Sequence, residues 1–230
     1  MCGRKTLTKD IHSIIEELAI DEWESPENYS PSYNISPGQR SPIVIKEGKR
    51  TVKLMKWGLV PSWSQDKSIG YKMINARSET LTVKPAYQGL ISKHRCVVIA
   101  DGYYEWKRAG KRKIPHYIFS QNNGLLLMAG LWSSRNRPGE EIENTYTVIT
   151  TDAHTTIRTV HHRMPVILDR ETFPLWLDVD NVSVTEALPM LLPYMGNLSI
   201  KEVSTMVNST SHNSPDCIKQ VSNRQTLDLF

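Results

Sequence analysis

The stretch Arg95-Cys96-Val97-Val98-Ile99-Ala100-Asp101-Gly102-Tyr103-Tyr104-Glu105-Trp106 opens on a run of apolar, largely β-branched residues and ends on a carboxylate among aromatics. A run that is apolar on both faces reads as a buried strand, and Cys96 is accordingly a core residue. Asp101-Gly102 punctuates it, and Glu105 then stands near a strand end. Working outward, shorter strand-like runs occur at Ile43–Ile45, Val52–Met55, His116–Phe119, Leu125–Leu131 and Tyr146–Thr150. Gly110, between two basic segments, marks a hairpin turn. Helical spacing is confined to three places. Ile11, Ile14, Ile15, Leu18 and Ile20 predict a helix over 10–20 capped by Thr8 or Asp10. A second helix is expected at Leu81–Tyr87 or just after it. A third begins near Arg170, with Phe173, Leu175, Trp176 and Leu177 on its apolar side. Residues 21–42, rich in Pro, Ser, Asn and Tyr, read as a long ordered loop. The class is α+β, one domain, with a strongly bent or barrel-like sheet.

The chain has 230 residues, 39% of them hydrophobic, enough for a substantial core. No stretch approaches the ~18 consecutive apolar residues of a membrane helix, and no secretory signal opens the sequence, so a cytoplasmic protein is expected. The formal net charge of +4 is a weak pointer to an anionic partner. Two clusters say more: Lys49, Arg50, Lys53 and Lys56, and then Lys107, Arg108, Lys111, Arg112 and Lys113. Each is either a solvated face or a surface that follows phosphates. The three cysteines, Cys2, Cys96 and Cys217, fit neither a disulfide framework nor a zinc site. No role attaches to Cys217, in a polar stretch.

Cys2, in Met1-Cys2-Gly3-Arg4, differs from the other two. Loss of the initiator methionine would place a free α-amine beside the thiol. The amine can condense with an aldehyde to a Schiff base, and the thiol can close a thiazolidine ring on the same carbon. An α-amine has a reference pKa near ~7.7–8.0 and is appreciably neutral at neutral pH, unlike a lysine near ~10.4. On these four residues alone, a chance cysteine at a frayed terminus explains the sequence as well. Elsewhere, Ile74-Asn75-Ala76-Arg77-Ser78-Glu79-Thr80 puts an amide and a guanidinium two residues apart, on one side of an extended segment. The guanidinium suits a phosphate. Glu105 beside aromatics is a candidate acid of raised pKa, or a surface glutamate. Val160-His161-His162-Arg163-Met164-Pro165 offers a histidine pair with no Cys/His set around it, so no metal is expected.

Taken together, Met1–Arg4, Asn34–Gln39, Trp57–Trp63, Asn75–Thr80, Asp101–Trp106, Ala129–Trp132, Thr150–Asp152 and His161–Pro165, with a weaker match near Val203–Asn208, resemble the SOS-response-associated peptidase (SRAP) proteins. The resemblance runs in order along nearly the whole chain. It implies a single domain over residues 1–230, with a twisted, barrel-like, mainly antiparallel β core, peripheral helices and a positively charged cleft. It implies capture of abasic sites in single-stranded DNA, including sites at single-strand/double-strand junctions, by a thiazolidine crosslink in the DNA damage (SOS) response. No cofactor is implied, and a monomer is expected.

Carried over, Cys2 supplies amine and thiol, and Asn75 positions the terminus and the sugar. Glu105 is the acid that protonates the deoxyribose ring oxygen. His161, chosen over His162 for standing two residues before Arg163, is the second proton-transfer group. Arg77 and Arg163 grip phosphates, Arg4 assists, and Pro37, Trp63 and Trp106 fill the gap or stack on bases. His154 departs from the pattern, where the family commonly has a small amide residue. Two other readings stay open: a cysteine peptidase with Cys2 as nucleophile and His161 as base, self-processing at Met1 included, and a DNA-binding module without covalent chemistry.

Overall fold

The computed structural model describes residues 2–221. Its strands are β1 (Lys5–Leu7), β2 (Glu22–Trp23), β3 (Ser32–Ile35), β4 (Arg40–Glu47), β5 (Lys49–Trp57), β6 (Asn75–Arg77), β7 (Arg95–Ala100), β8 (Gly102–Ala109), β9 (Arg112–Ser120), β10 (Leu126–Arg135), β11 (Glu143–Asp152), β12 (Arg163–Pro165), β13 (Ile167–Leu168) and β14 (Leu198–Glu202). The helices are short: α1 (Ile11–Leu18), α2 (Pro85–Gln88), α3 (Leu90–Lys93), α4 (Thr155–Arg158), α5 (Thr172–Leu177) and α6 (Val184–Ala187).

Five strands make a barrel. β11, β10, β7, β4 and β5 pair in that order with antiparallel neighbours. β5 then pairs in parallel with β11 through Lys56↔Thr145 and Trp57↔Tyr146, which closes the ring. The Trp57 and Tyr146 rings stack at the seam, 6.1 Å apart and 11° from parallel. Burial dictates the composition of these strands: Ile43, Val97, Val98, Ile99, Met128, Leu131 and Val148 are all fully buried. The fold is thus the expected α+β class, with a barrel-like and mainly antiparallel core.

A second sheet runs β14-β9-β8-β1-β3. The decisive stretch crosses between the two sheets: β7 belongs to the barrel, and after Asp101 the chain continues as β8 in the second sheet. There it is held by Asp101 N–H donating to Thr6 O and Tyr104 N–H donating to Arg4 O. β1, and with it Cys2, is therefore fastened to the strand that carries Glu105.

Two expectations need correction. Residues 21–42 are not a single loop: they contain β2 and β3, and β4 starts within them. β3 pairs antiparallel with β1, so its polar residues are used for register and caps rather than left in a turn. The second helix falls at the later of the two places expected for it, as the single turns α2 and α3, because Pro85 fits a helix start and not its interior. Leu175, placed on the apolar side of α5, is exposed, whereas Phe173, Trp176 and Leu177 are buried. The first helix is as read, with Asp10 as its cap accepting from Ser13 N–H at 3.0 Å. Cys96 is in the core, and Cys217 is buried with Tyr104, Tyr117, Val203 and Val207 in a smaller cluster under the second sheet.

Gly58 follows the barrel seam with φ +122°, and a Cβ there would lie 2.6 Å from Gly70 O. Gly58→Ala should cost more than about 1 kcal/mol in urea unfolding, since the substituent can neither adopt the backbone nor fit. An unchanged midpoint would show that the seam yields at this point.

Candidate active site

Cys2 comes to rest between the two sheets, 0% exposed. Its carbonyl accepts a hydrogen bond from Asn75 Nδ2 at 2.8 Å. Asn75 is there because β6 pairs in parallel with β11, Asn75 opposite Val148. Its Oδ1 is buried and has no hydrogen-bond partner among the described residues, so the amide presents an unused acceptor beside the terminus. Two residues on, Arg77 is exposed, as the alternation of a strand requires for a side chain on the same side at the rim.

Glu105 lies on β8 opposite His116 and is only 2% exposed. Burial pushes its carboxyl above the ordinary range, against the pull of the Trp106 backbone N–H. His161 Nδ1 is 4.0 Å from Glu105 Oε1. Partial burial holds the His161 ring below its ordinary pKa, and the positive charges of Arg108 and Arg163 act in the same direction. Arg163 N–H lies 3.0 Å from Nδ1. Nδ1 is also 3.1 Å from Arg163 O, so this ring nitrogen faces both the N–H and the carbonyl of Arg163. The Cys2 thiol is pushed up to about 12, first by burial and then by the Glu105 carboxylate, so it is a thiol and not a thiolate at neutral pH. One cause, removal from water, therefore favours the uncharged form of all three groups.

The four expected reacting groups are thus brought together: Cys2, Asn75, Glu105 and His161. The flanking residues divide. Arg77 stands on the wall of a cavity of about 420 Å³ that also involves Lys72, Asn75, Lys84 and Tyr87. Arg163, expected on a phosphate, points elsewhere. It is 6% exposed, its guanidinium donates to both oxygens of Glu79 at 2.6 and 3.0 Å, to Asp152 Oδ1 at 2.9 Å and to Thr150 O at 2.6 Å. Those acceptors neutralise the charge and leave the fork committed, while the Arg163 backbone meets the His161 ring at Nδ1. Arg4 is likewise engaged, donating to Asn34 Oδ1 and to Val207 O, each at 2.7 Å. Trp106 is half-buried, with Nε1 donating to Asn208 Oδ1 at 2.8 Å and the Arg4 guanidinium 6.0 Å from its ring. Pro37 is half-buried, and Trp63 is 62% exposed. His154, the departure from the pattern, caps α4 and touches none of the reacting groups.

Sequence reasoning missed two things. Glu79 and Asp152 lie inside the motifs that carry the resemblance, and a buried arginine two residues from a candidate histidine was the signal that carboxylates would be needed. Lys5 is fully buried, its Nζ donating to Ser41 Oγ at 2.5 Å and to Ile99 O at 2.8 Å, and nothing in its polar sequence neighbourhood pointed to that. Among the described residues, no group of three or more His, Cys, Asp or Glu side chains could hold a metal ion, and no helix is long and apolar enough to cross a membrane.

A pocket with Asn75 and His161 on the barrel side and Cys2 and Glu105 on the second sheet defines an α+β protein whose second-position cysteine is packed beside an amide, a buried glutamate and a histidine. The family model of the SOS response associated peptidases (SRAP) matches residues 1–210, and the chain belongs to that family. The abasic site processing protein YoqW of Bacillus subtilis (strain 168) is 40% identical over 222 residues, which is 95% of this chain and 99% of the relative. HMCES of Xenopus tropicalis, also named an abasic site processing protein, is 37% identical over 227 residues, covering 85% of this chain and 68% of its own. A solved protein from Bacteroides thetaiotaomicron superposes with a TM-score of 0.86 at 24% identity, covering 96% of this chain and all (100%) of the other. A phage-related protein from Bordetella bronchiseptica does so with a TM-score of 0.67 at 30% identity, over 88% and 94% of the two chains.

Arg163→Gln should unfold about 1–3 kcal/mol more easily, because Thr150 O and the two carboxylates lose a charged donor. It should also loosen His161, visible as a change in that ring's NMR titration. Wild-type stability together with an unshifted His161 would contradict this anchoring role.

Proposed function

We propose that the chain processes abasic sites by capturing their aldehyde in single-stranded DNA, with Cys2 as the reacting residue once Met1 has been removed. Met1 lies outside the described residues, so its removal belongs to the proposal. The observation that carries the reading is the cluster itself: the Cys2 backbone is clamped by Asn75 beside a buried acid, Glu105, and a histidine, His161, held neutral. Relatives named for abasic-site processing support the choice of substrate.

The chemistry balances as follows. The ring-closed abasic sugar opens when its C1′–O4′ bond breaks. O4′ takes a proton from Glu105, and the C1′ hydroxyl gives one up as the carbonyl forms. A carboxyl whose hold on its proton is strengthened by burial is suited to that step. The α-amine adds to C1′, and water leaves to give the Schiff base. His161, its ring held below its ordinary pKa, is suited to move protons in this exchange and in its reversal. The thiol sulfur then bonds to C1′, its proton passes to the nitrogen, and the thiazolidine is closed with the net loss of one water. The exposed Arg77, with Lys72 and Lys84 along the same cavity, suits flanking phosphates. Exposed Trp63 suits base stacking. Cys2 is wholly buried in the chain as described, so the terminus must open, and loss of Met1 is the change that the chemistry itself demands.

A peptidase is the second reading. It needs a thiolate, whereas the Cys2 thiol is pushed up to about 12. The two separate on the α-amine. Selective acetylation of the processed terminus should abolish capture of an abasic oligonucleotide while leaving a thiol peptidase active. Glu105→Gln should slow capture by roughly 10²-fold or more, with noncovalent affinity nearly intact. Capture by the acetylated protein, or at the wild-type rate by Glu105→Gln, would contradict the assigned roles.

A further inference from the structure

The two basic clusters of the sequence have different fates. In the first, Lys49 pairs with Glu22 at 2.9 Å, Lys53 with Glu24 and Glu47 at 3.0 and 3.1 Å, and Lys56 with Glu143 at 3.2 Å. Arg50 is spent on Leu18 O at 3.2 Å and on the Phe173 ring. That cluster is a set of intramolecular ion pairs. In the second, Lys107, Arg108, Lys111, Arg112 and Lys113 are all exposed, and none has an ion pair with a carboxylate among the described residues.

Backbone pairing sets the second cluster apart as well. β8 pairs with β1 only at Gly102 and Tyr103, and β9 pairs with β14 only from His116 to Ser120. Beyond Trp106↔Pro115, where Val203 N–H still donates to Pro115 O at 3.0 Å, the two strands run on through Lys107↔Ile114, Arg108↔Lys113 and Ala109↔Arg112, turning at Gly110 with φ +59°. A two-stranded ribbon has little stability of its own. Here it leaves the second sheet just past the buried acid and carries its cations outward. Lys107 is two residues from Glu105, and Arg108 is near enough to His161 to disfavour its protonation.

We infer that the β8–β9 ribbon is a phosphate-gripping arm that holds the DNA strand on one side of the abasic site, outside the reacting pocket. The inference rests on the proposed function and adds a second anchoring surface to it. From Glu105 to Ala109 the arm extends on the order of 14 Å at ~3.4 Å per residue. A stacked strand advances ~3.4 Å per phosphate, so the arm spans about four of them. Its cations are long side chains without carboxylate partners among the described residues, which is the arrangement that binds by releasing counterions rather than by reading bases. The partner this fits is a polyanionic backbone with regularly spaced charges.

The test measures equilibrium affinity against salt in a Cys2→Ala background, where no covalent product forms. Two single-stranded oligonucleotides carry one abasic site each, one ending close to the lesion on both sides and one running well beyond it. The variant is Lys111→Gln, Arg112→Gln and Lys113→Gln together, at the exposed tip. On the long oligonucleotide the slope of log affinity against log salt should fall by about 2, at ~0.7 for each phosphate no longer neutralised. The affinity gained by lengthening the strand should shrink with it. Charge-preserving replacements, Lys111→Arg, Arg112→Lys and Lys113→Arg, should restore the slope. Equal slopes for the parent and the glutamine variant overturn the inference, as does a loss seen on duplex DNA but not on the single strand. Adduct formation on the short oligonucleotide by the unaltered chain reports on aldehyde capture separately. Its absence would sink that reading and leave the slope to decide the arm.

Discussion

Parallel pairing of Lys56 and Trp57 with Thr145 and Tyr146 is the contact on which the site depends. The other barrel contacts are antiparallel ladders between strands that lie near one another along the ring. The parallel contact instead brings the end of β5 against the start of β11, and the chain leaving β5 then runs beside β11 as β6. Asn75 and Arg77 owe their positions to that course. Further along β11, Thr150 and Asp152 meet Arg163, and Arg163 holds His161. A seam made of a stacked Trp57 and Tyr146 therefore aligns one wall of the pocket, while β1 and β8 of the other sheet supply Cys2 and Glu105.

Burial then does the electrostatic work. The same exclusion of water raises the Glu105 carboxyl, raises the Cys2 thiol and lowers the His161 ring. A pocket in that state favours the uncharged forms of these groups and disfavours a pre-formed thiolate. Charge is kept at the edges: paired with carboxylates at Arg163, exposed at Arg77, and exposed without carboxylate partners among the described residues on the ribbon of Lys107 to Lys113. Negative DNA can be attracted to such a rim without a fixed charge having to be desolvated at the reacting carbon.

Much of this was legible in the sequence, and the gaps have physical causes. Cys96–Ala100 announced a buried strand because both of its faces are apolar, and α1 was legible because its apolar spacing is helical and Asp10 is a cap. Residues 21–42 misled because β3 carries polar residues whose hydrogen bonds go to distant partners, such as Asn34 to Val207, Ser209 and His212. No local pattern reports such contacts. Asn75 and Glu105 were candidates in their own segments, each with a plain alternative, and the family pattern was needed to choose them and to pick His161 over His162. Arg163 was placed on DNA by the family resemblance alone. The carboxylates that claim it come from two other parts of the chain, and only the barrel brings them together. Closure of the barrel could not be read at all, because a parallel contact between strands so far apart in sequence leaves no periodic trace.

The most direct test of the account is the mass of the intact protein after mixing with a single-stranded oligonucleotide that bears one abasic site, comparing the unaltered chain with Cys2→Ala. The account predicts a denaturation-resistant adduct from the unaltered chain only, lacking Met1 and one water lighter than the summed masses of processed protein and DNA. A protein confirmed to begin at Cys2 that yields no adduct, or a Cys2→Ala chain that yields the same one, would contradict it.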